Sequence, residues 1–228
     1  MNLTLKPCRR LGRRALGALS LGLGLALSLS PQASFAKGLV EFSPALLSRV
    51  EAKFGRGAVM RLNALKDLAD NNQSATEMDK VKAVNDFFNQ VPYYTDPVHW
   101  KMKDYWATPF EKLTTYGGDC EDYAIGKYFT LRELGVPDDR MRIMYVKALD
   151  WGEAHMVLTY FPQPRSIPLV LDNLKPQILP ANQRKDLVPV YSFNADSLWL
   201  AKERGVGKRV GSSSKLGLWT DLQKRIDQ

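Results

Sequence analysis

The chain has 228 residues and a formal charge of +8, with 45% hydrophobic and 25% charged residues but only two cysteines and two histidines. The basic excess sits at the front: five of the 32 Lys+Arg and none of the 24 Asp+Glu fall in residues 1–36, leaving 27 against 24, a net +3, for the rest. So modest a charge, with no basic run interleaved with aromatics, argues against a nucleic-acid partner, and two cysteines cannot build a disulfide framework.

Residues 1–36 have the form of an export signal. Lys6, Arg9, Arg10, Arg13 and Arg14 make a basic start, Ala15 to Ser30 is uncharged and apolar, and Ser34-Phe35-Ala36 places small residues for cleavage after Ala36. The apolar run, about 16 residues, falls short of the roughly 20 needed to span a bilayer. Residues 37–228 are then expected to form a single domain, large enough for its own core. Cys8 leaves with the signal, so Cys120 stands alone in an oxidising compartment, either as packing or as a retained reactive thiol.

Ser43-Pro44 reads as an N-cap followed by proline at the first helical position, opening a helix to Phe54 that Gly55 stops. Val59, Leu62, Leu65 and Leu68 predict a second helix ending near Asp70-Asn71-Asn72. Thr76 with Asp79 resembles a capping box for a third, with Met78, Val81, Val84, Phe87 and Phe88 on one face before Pro92. Residues 93–116, rich in Tyr, Trp and Phe among prolines and charges, read as an ordered aromatic loop, either buried beside a site or walling a substrate groove. A helix is expected from Cys120 through Ala124, Ile125, Tyr128, Leu131 and Leu134 to Gly135. Strand-like runs follow at Met141–Leu149, Ala154–Phe161, Pro168–Leu171 and Val188–Phe193. Leu198-Trp199-Leu200 is an apolar patch, and the Gly/Ser/Lys-rich remainder has no chemical signature.

The chemistry concentrates at Gly117-Gly118-Asp119-Cys120-Glu121-Asp122-Tyr123. The glycines permit a tight turn, so that Asp119 caps the helix and Cys120 falls in its first turn, where the dipole and unpaired N–H groups favour a thiolate and can hold an oxyanion. The acids oppose this by raising the thiol pKa. A nucleophile needs a base, and the candidates are His99 and His155. His155 starts a strand-like run, and Asp172 ends the next one, so neighbouring antiparallel strands would set Asp172 beside His155 as the group fixing its tautomer. Taken singly, each residue has a plain structural role available; together they read as a Cys120–His155–Asp172 triad. His99, in the aromatic loop without a partnering pattern, reads as structural. Asp119 with Glu121 or Asp122 could converge on a hard cation, calcium being the plentiful one outside the cytoplasm, or could simply complement the helix dipole.

On Tyr116–Tyr123, the Ala154-His155-Met156-Val157-Leu158 strand and Val170-Leu171-Asp172-Asn173, the sequence resembles the bacterial transglutaminase-like cysteine proteinases, and within them the LapG-type periplasmic branch. The resemblance covers roughly residues 38–195, with the Phe87-Phe88-Asn89 helix and Trp106-Ala107-Thr108-Pro109 included. It implies an α+β, papain-like core: N-terminal helices plus a catalytic helix packed on an antiparallel sheet. It also implies Cys120 as nucleophile, His155 as base, Asp172 as its orienter, and calcium held by Asp119 and Glu121 with Asp122. By the same resemblance the protein would act in the periplasm, cutting a large outer-membrane adhesin near its N-terminus and dispersing the biofilm. The periplasmic domain of an inner-membrane cyclic-di-GMP receptor would hold it inactive. Two alternatives share these residues: a transglutaminase-type acyl transferase, and a non-catalytic calcium-binding module.

Overall fold

The structure is a computed structural model that describes residues 38–201 and 207–226. All of these fall in one compact unit, Phe35–Gln228; the expected signal, with Cys8, lies outside the described residues. The helices are α1 (Pro44–Phe54), α2 (Arg56–Asn72), α3 (Glu77–Phe88), α4 (Asp96–His99), α5 (Pro109–Thr115), α6 (Cys120–Glu133) and α7 (Gly217–Ile226). The strands are β1 (Met141–Ala148), β2 (Glu153–Tyr160), β3 (Leu169–Leu171), β4 (Leu179–Pro180), β5 (Leu187–Phe193), β6 (Leu198–Leu200) and β7 (Lys208–Gly211). They form one antiparallel sheet in the order β4-β3-β2-β1-β5-β6-β7. Helices on such a sheet make the expected α+β class.

The predicted boundaries hold where a cap or a glycine sets them. Ser43 Oγ accepts from Leu46 N at the head of α1, and Gly55 ends it at φ 81°, a conformation glycine reaches without a Cβ clash. Thr76 Oγ1 accepts from Asp79 N at the head of α3, whose Val81, Val84 and Phe88 are buried. Phe88 packs so closely on α6 that a Cβ at Gly126 would sit 2.5 Å from its ring.

β2 shows how the core is divided. Met156, Leu158 and Tyr160 point into the main core with the helices, whereas Val157 joins Val146 and Val170 in a smaller cluster, the two-residue alternation of a pleated strand. α6 lies across β2 and β1 and is buried nearly all round, every residue from Asp122 to Leu131 included.

Two stretches depart from the expected pattern. The aromatic segment 93–116 contains α4 and α5, and α5 opens on a reciprocal capping box: Glu111 N donates to Thr108 Oγ1 at 3.1 Å and Thr108 N donates to Glu111 Oε2 at 2.8 Å. The tail adds β6 and β7 to the sheet and sends α7 back into the core, where Trp219 and Leu222 are fully buried and Trp219 packs among Tyr128, Phe129 and Phe193.

Candidate active site

The turn into α6 is built for close packing. Gly118 has φ +143°, and a Cβ there would collide with the Asp122 carboxylate; one at Gly117 would meet His99 Cε1 at 2.5 Å and Tyr94 Cδ2 at 2.7 Å. Tyr94 N donates to Gly118 O at 3.0 Å, tying this turn to the aromatic segment. His99 is stacked on Tyr94 with its Nε2 2.8 Å from Thr115 Oγ1.

Asp119 is the N-cap and Cys120 the first residue of α6, so the thiol lies at the positive end of the helix. Its Sγ is 3.1 Å from Glu121 Oε2 and faces the backbone N–H of Met156 on β2. Burial, then Glu121 and Asp119, push the thiol pKa well up, with the Met156 N–H opposing. Burial and the neighbouring carboxylates thus favour the thiol over the thiolate at Cys120.

Next to Met156 in β2 is His155, 4% exposed. Its Nε2 lies 2.8 Å from Asp172 Oδ1 at the end of β3, the pairing expected from adjacent antiparallel strands, and this leaves Nδ1 as the ring atom for a proton taken from a thiol. Asp172 is held on several sides: Oδ1 also accepts from Leu174 N at 2.9 Å, Oδ2 accepts from Arg184 Nη2 at 2.6 Å, and Nδ2 of Asn89, the residue that caps α3, donates to its carbonyl at 2.9 Å. Burial raises the Asp172 pKa, but His155 and Arg184 outweigh it and bring it down to about 2. The carboxylate is thus ionised across the working range.

The acids form a larger cluster than the sequence indicated. One oxygen from each of Asp96, Asp119 and Asp122 lie within 4.8 Å of one another, and so do oxygens of Asp96, Asp104 and Glu121. Asp119, Glu121 and Asp122 are thus joined by Asp96 from α4 and Asp104 from the loop after it. Asp96 Oδ1 and Asp119 Oδ1 are buried without a hydrogen-bond partner. Burial first, then neighbouring carboxylates, push Glu121 up to about 9; burial likewise raises Asp122 to about 7, Asp96 to about 6, and Asp119. Lys112 of α5, stacked over the Tyr123 ring at 3.4 Å, faces these acids from the other side. Five converging carboxylates with two orphaned oxygens fit a hard, oxygen-seeking cation. Asp122 contributes least openly, because its Oδ1 accepts from Ala107 N at 2.7 Å and its Oδ2 from Asp119 N at 3.3 Å.

Sequence reasoning missed Asp96, Asp104 and Arg184. Asp96 had a weak signal, Thr95-Asp96-Pro97 as a helix start; the other two reach the site only through tertiary folding.

A helix-start cysteine facing a strand whose histidine is hydrogen-bonded to an aspartate, with helices on an antiparallel sheet, has the arrangement of a transglutaminase-like fold. A family model described as bacterial transglutaminase-like cysteine proteinase BTLCP matches residues 62–200, and the chain belongs to that family. It is similar to Legionella pneumophila LapG in its EGTA-treated form (44% identity, TM-score 0.71, covering 81% of this chain and 98% of that one) and its calcium-bound form (44%, 0.69, 81% and 99%). No curated protein sequence matches the chain. Among the described residues no helix is long and apolar enough to cross a membrane.

Proposed function

We propose that the chain is an exported, periplasmic, calcium-dependent cysteine endopeptidase. The observation that carries this reading is the buried His155–Asp172 hydrogen bond one residue along β2 from the Met156 N–H that faces Cys120 Sγ. His155 Nδ1 takes the thiol proton, Sγ attacks a peptide carbonyl, and N–H groups at the start of α6 hold the oxyanion. Imidazolium then returns the proton to the leaving amine, and a water deprotonated by the same ring resolves the thioester. Asp172 keeps the ring in the tautomer with Nε2 protonated.

Calcium bound by Asp119, Glu121 and Asp122, with Asp96 and Asp104, would supply positive charge that offsets the acids around the thiol. The calcium-bound and EGTA-treated forms of LapG support calcium as the cation. The substrate is a large outer-membrane adhesin, cut near its N-terminus and released so that the biofilm disperses. The periplasmic domain of an inner-membrane cyclic-di-GMP receptor is the inhibitor.

The test is incubation of the adhesin's N-terminal region with wild type and Cys120→Ala, with calcium or chelator, and mass analysis of the products. Cleaved fragments from wild type with calcium alone support the reading, with loss of about 10⁴-fold or more in Cys120→Ala. Isopeptide-linked products would assign an acyl transferase, and the absence of any product from wild type, with or without calcium, would leave only a calcium-binding module; cleavage equal in wild type and Cys120→Ala would remove Cys120 as the nucleophile.

A further inference from the structure

Arg184 follows the short helical turn Ala181–Gln183 between β4 and β5, and its side chain is only 3% exposed. Nη2 donates to Asp172 Oδ2 at 2.6 Å, and Nε and Nη2 clamp the Asp186 carboxylate at 3.0 and 2.9 Å. Lys175 closes on Asp186 at 3.0 Å, so a file of alternating charges runs from the surface through Asp186 and Arg184 to Asp172, which accepts the hydrogen bond of His155.

A guanidinium buried this deeply costs desolvation, and an apolar side chain of similar volume is often at least as stable in such a place. Its neighbours around the Val146, Val157 and Val170 cluster would accept one. What an apolar side chain would not supply is a planar fork, which grips a carboxylate in a fixed plane. The division of labour on Asp172 is specific: Oδ1 serves His155 Nε2 and Leu174 N, while Oδ2 is taken by Arg184. Without that grip the carboxylate can turn about its Cβ–Cγ bond, and the His155 ring loses a fixed acceptor.

We infer that Arg184, itself clamped by Asp186, is a positioning residue that fixes the carboxylate plane of Asp172 and through it the His155 ring. The inference rests on the reading of Cys120, His155 and Asp172 as catalytic. Lys127 of α6 is coupled electrostatically to Asp172 from the helix side.

The test uses the calcium-loaded full chain. It measures the rate of Cys120 alkylation by iodoacetamide and the low-field Nε2–H proton resonance of His155, assignable because the chain has two histidines. Arg184→Gln should lower the alkylation rate about ten- to hundredfold, the scale set by misplacement of a catalytic group, and broaden the resonance. Arg184→Lys should recover part of both, and Asp186→Asn should give a smaller loss in the same direction. If Arg184→Gln does not fold, as judged by circular dichroism, Asp186→Asn decides. Folded variants with the wild-type rate and resonance overturn the inference. The parent reading is checked separately by His155→Ala: wild-type alkylation in that variant would sink the triad itself, whereas a slow His155→Ala beside a normal Arg184→Gln removes only the role of Arg184.

Discussion

At the scale of single residues, the acids around Cys120 define the site as much as the thiol does. Asp119, Cys120, Glu121, His155 and Asp172 were legible because a glycine-set helix start and two strand ends fix where they sit. Asp96, Asp104 and Arg184 were not, since their proximity depends on loop paths that no local spacing encodes. Asp96 gives the sharpest expectation. Its Oδ1 is buried without a partner, so Asp96→Asn should weaken calcium binding by about tenfold or more, a loss on the scale reported for groups supporting a metal, read by titration calorimetry. Gly118 gives a second. At φ +143° with the Asp122 carboxylate where a Cβ would have to sit, Gly118→Ala should destabilise the protein by about 1–3 kcal/mol, measured by chemical denaturation. An unchanged midpoint would show that the turn relaxes.

At the scale of elements, the helices and strands with strong punctuation appeared where the sequence placed them, and the rest were lost to competing signals. In residues 93–116 the density of aromatics masked Thr108-Pro109-Phe110-Glu111, a capping box with proline at the first helical position, and so masked α5. That box predicts that Thr108→Ala costs about 1 kcal/mol of stability, seen as a lower denaturation midpoint with an unchanged slope. α6 misled in another way. Its apolar positions suggest one buried face, but the helix is enclosed, with even Lys127 at 0% exposure and pushed down to about 7 by burial. α7 was readable in principle from Leu216, Trp219, Leu222 and Ile226. A Gly/Ser/Lys-rich approach hid it, and only docking reveals that Trp219→Ala should cost about 3–5 kcal/mol in a thermal or chemical melt.

At the scale of the whole molecule, the acidic cluster sets the pH response. Glu121, Asp122 and Asp96 have folded pKa values raised to about 9, 7 and 6. Burial favours the protonated carboxyls in the folded chain, so their contribution is present below about pH 4 and lost as pH rises. Asp172 and Asp186 have depressed values, so their contribution is lost as pH falls below about 4. Lys112 and Lys127, lowered to about 8 and 7, act only above neutrality. Calcium-stripped protein should therefore melt at progressively lower temperature from pH 4 to pH 7, and saturating calcium should flatten that slope; parallel melting curves in the two states would refute it. The last consequence concerns α7. Arg225 donates to Trp106 O and Glu111 Oε2, each at 2.5 Å, and to Tyr105 OH at 2.8 Å. Tyr105 N in turn donates to Asp96 Oδ2 at 2.5 Å. The outer wall of the acidic cluster is thus latched by a helix about a hundred residues downstream. A chain emerging N-terminus first therefore carries its thiol about a hundred residues ahead of the arginine that braces this wall, so the two ends of the domain must meet before the wall is complete.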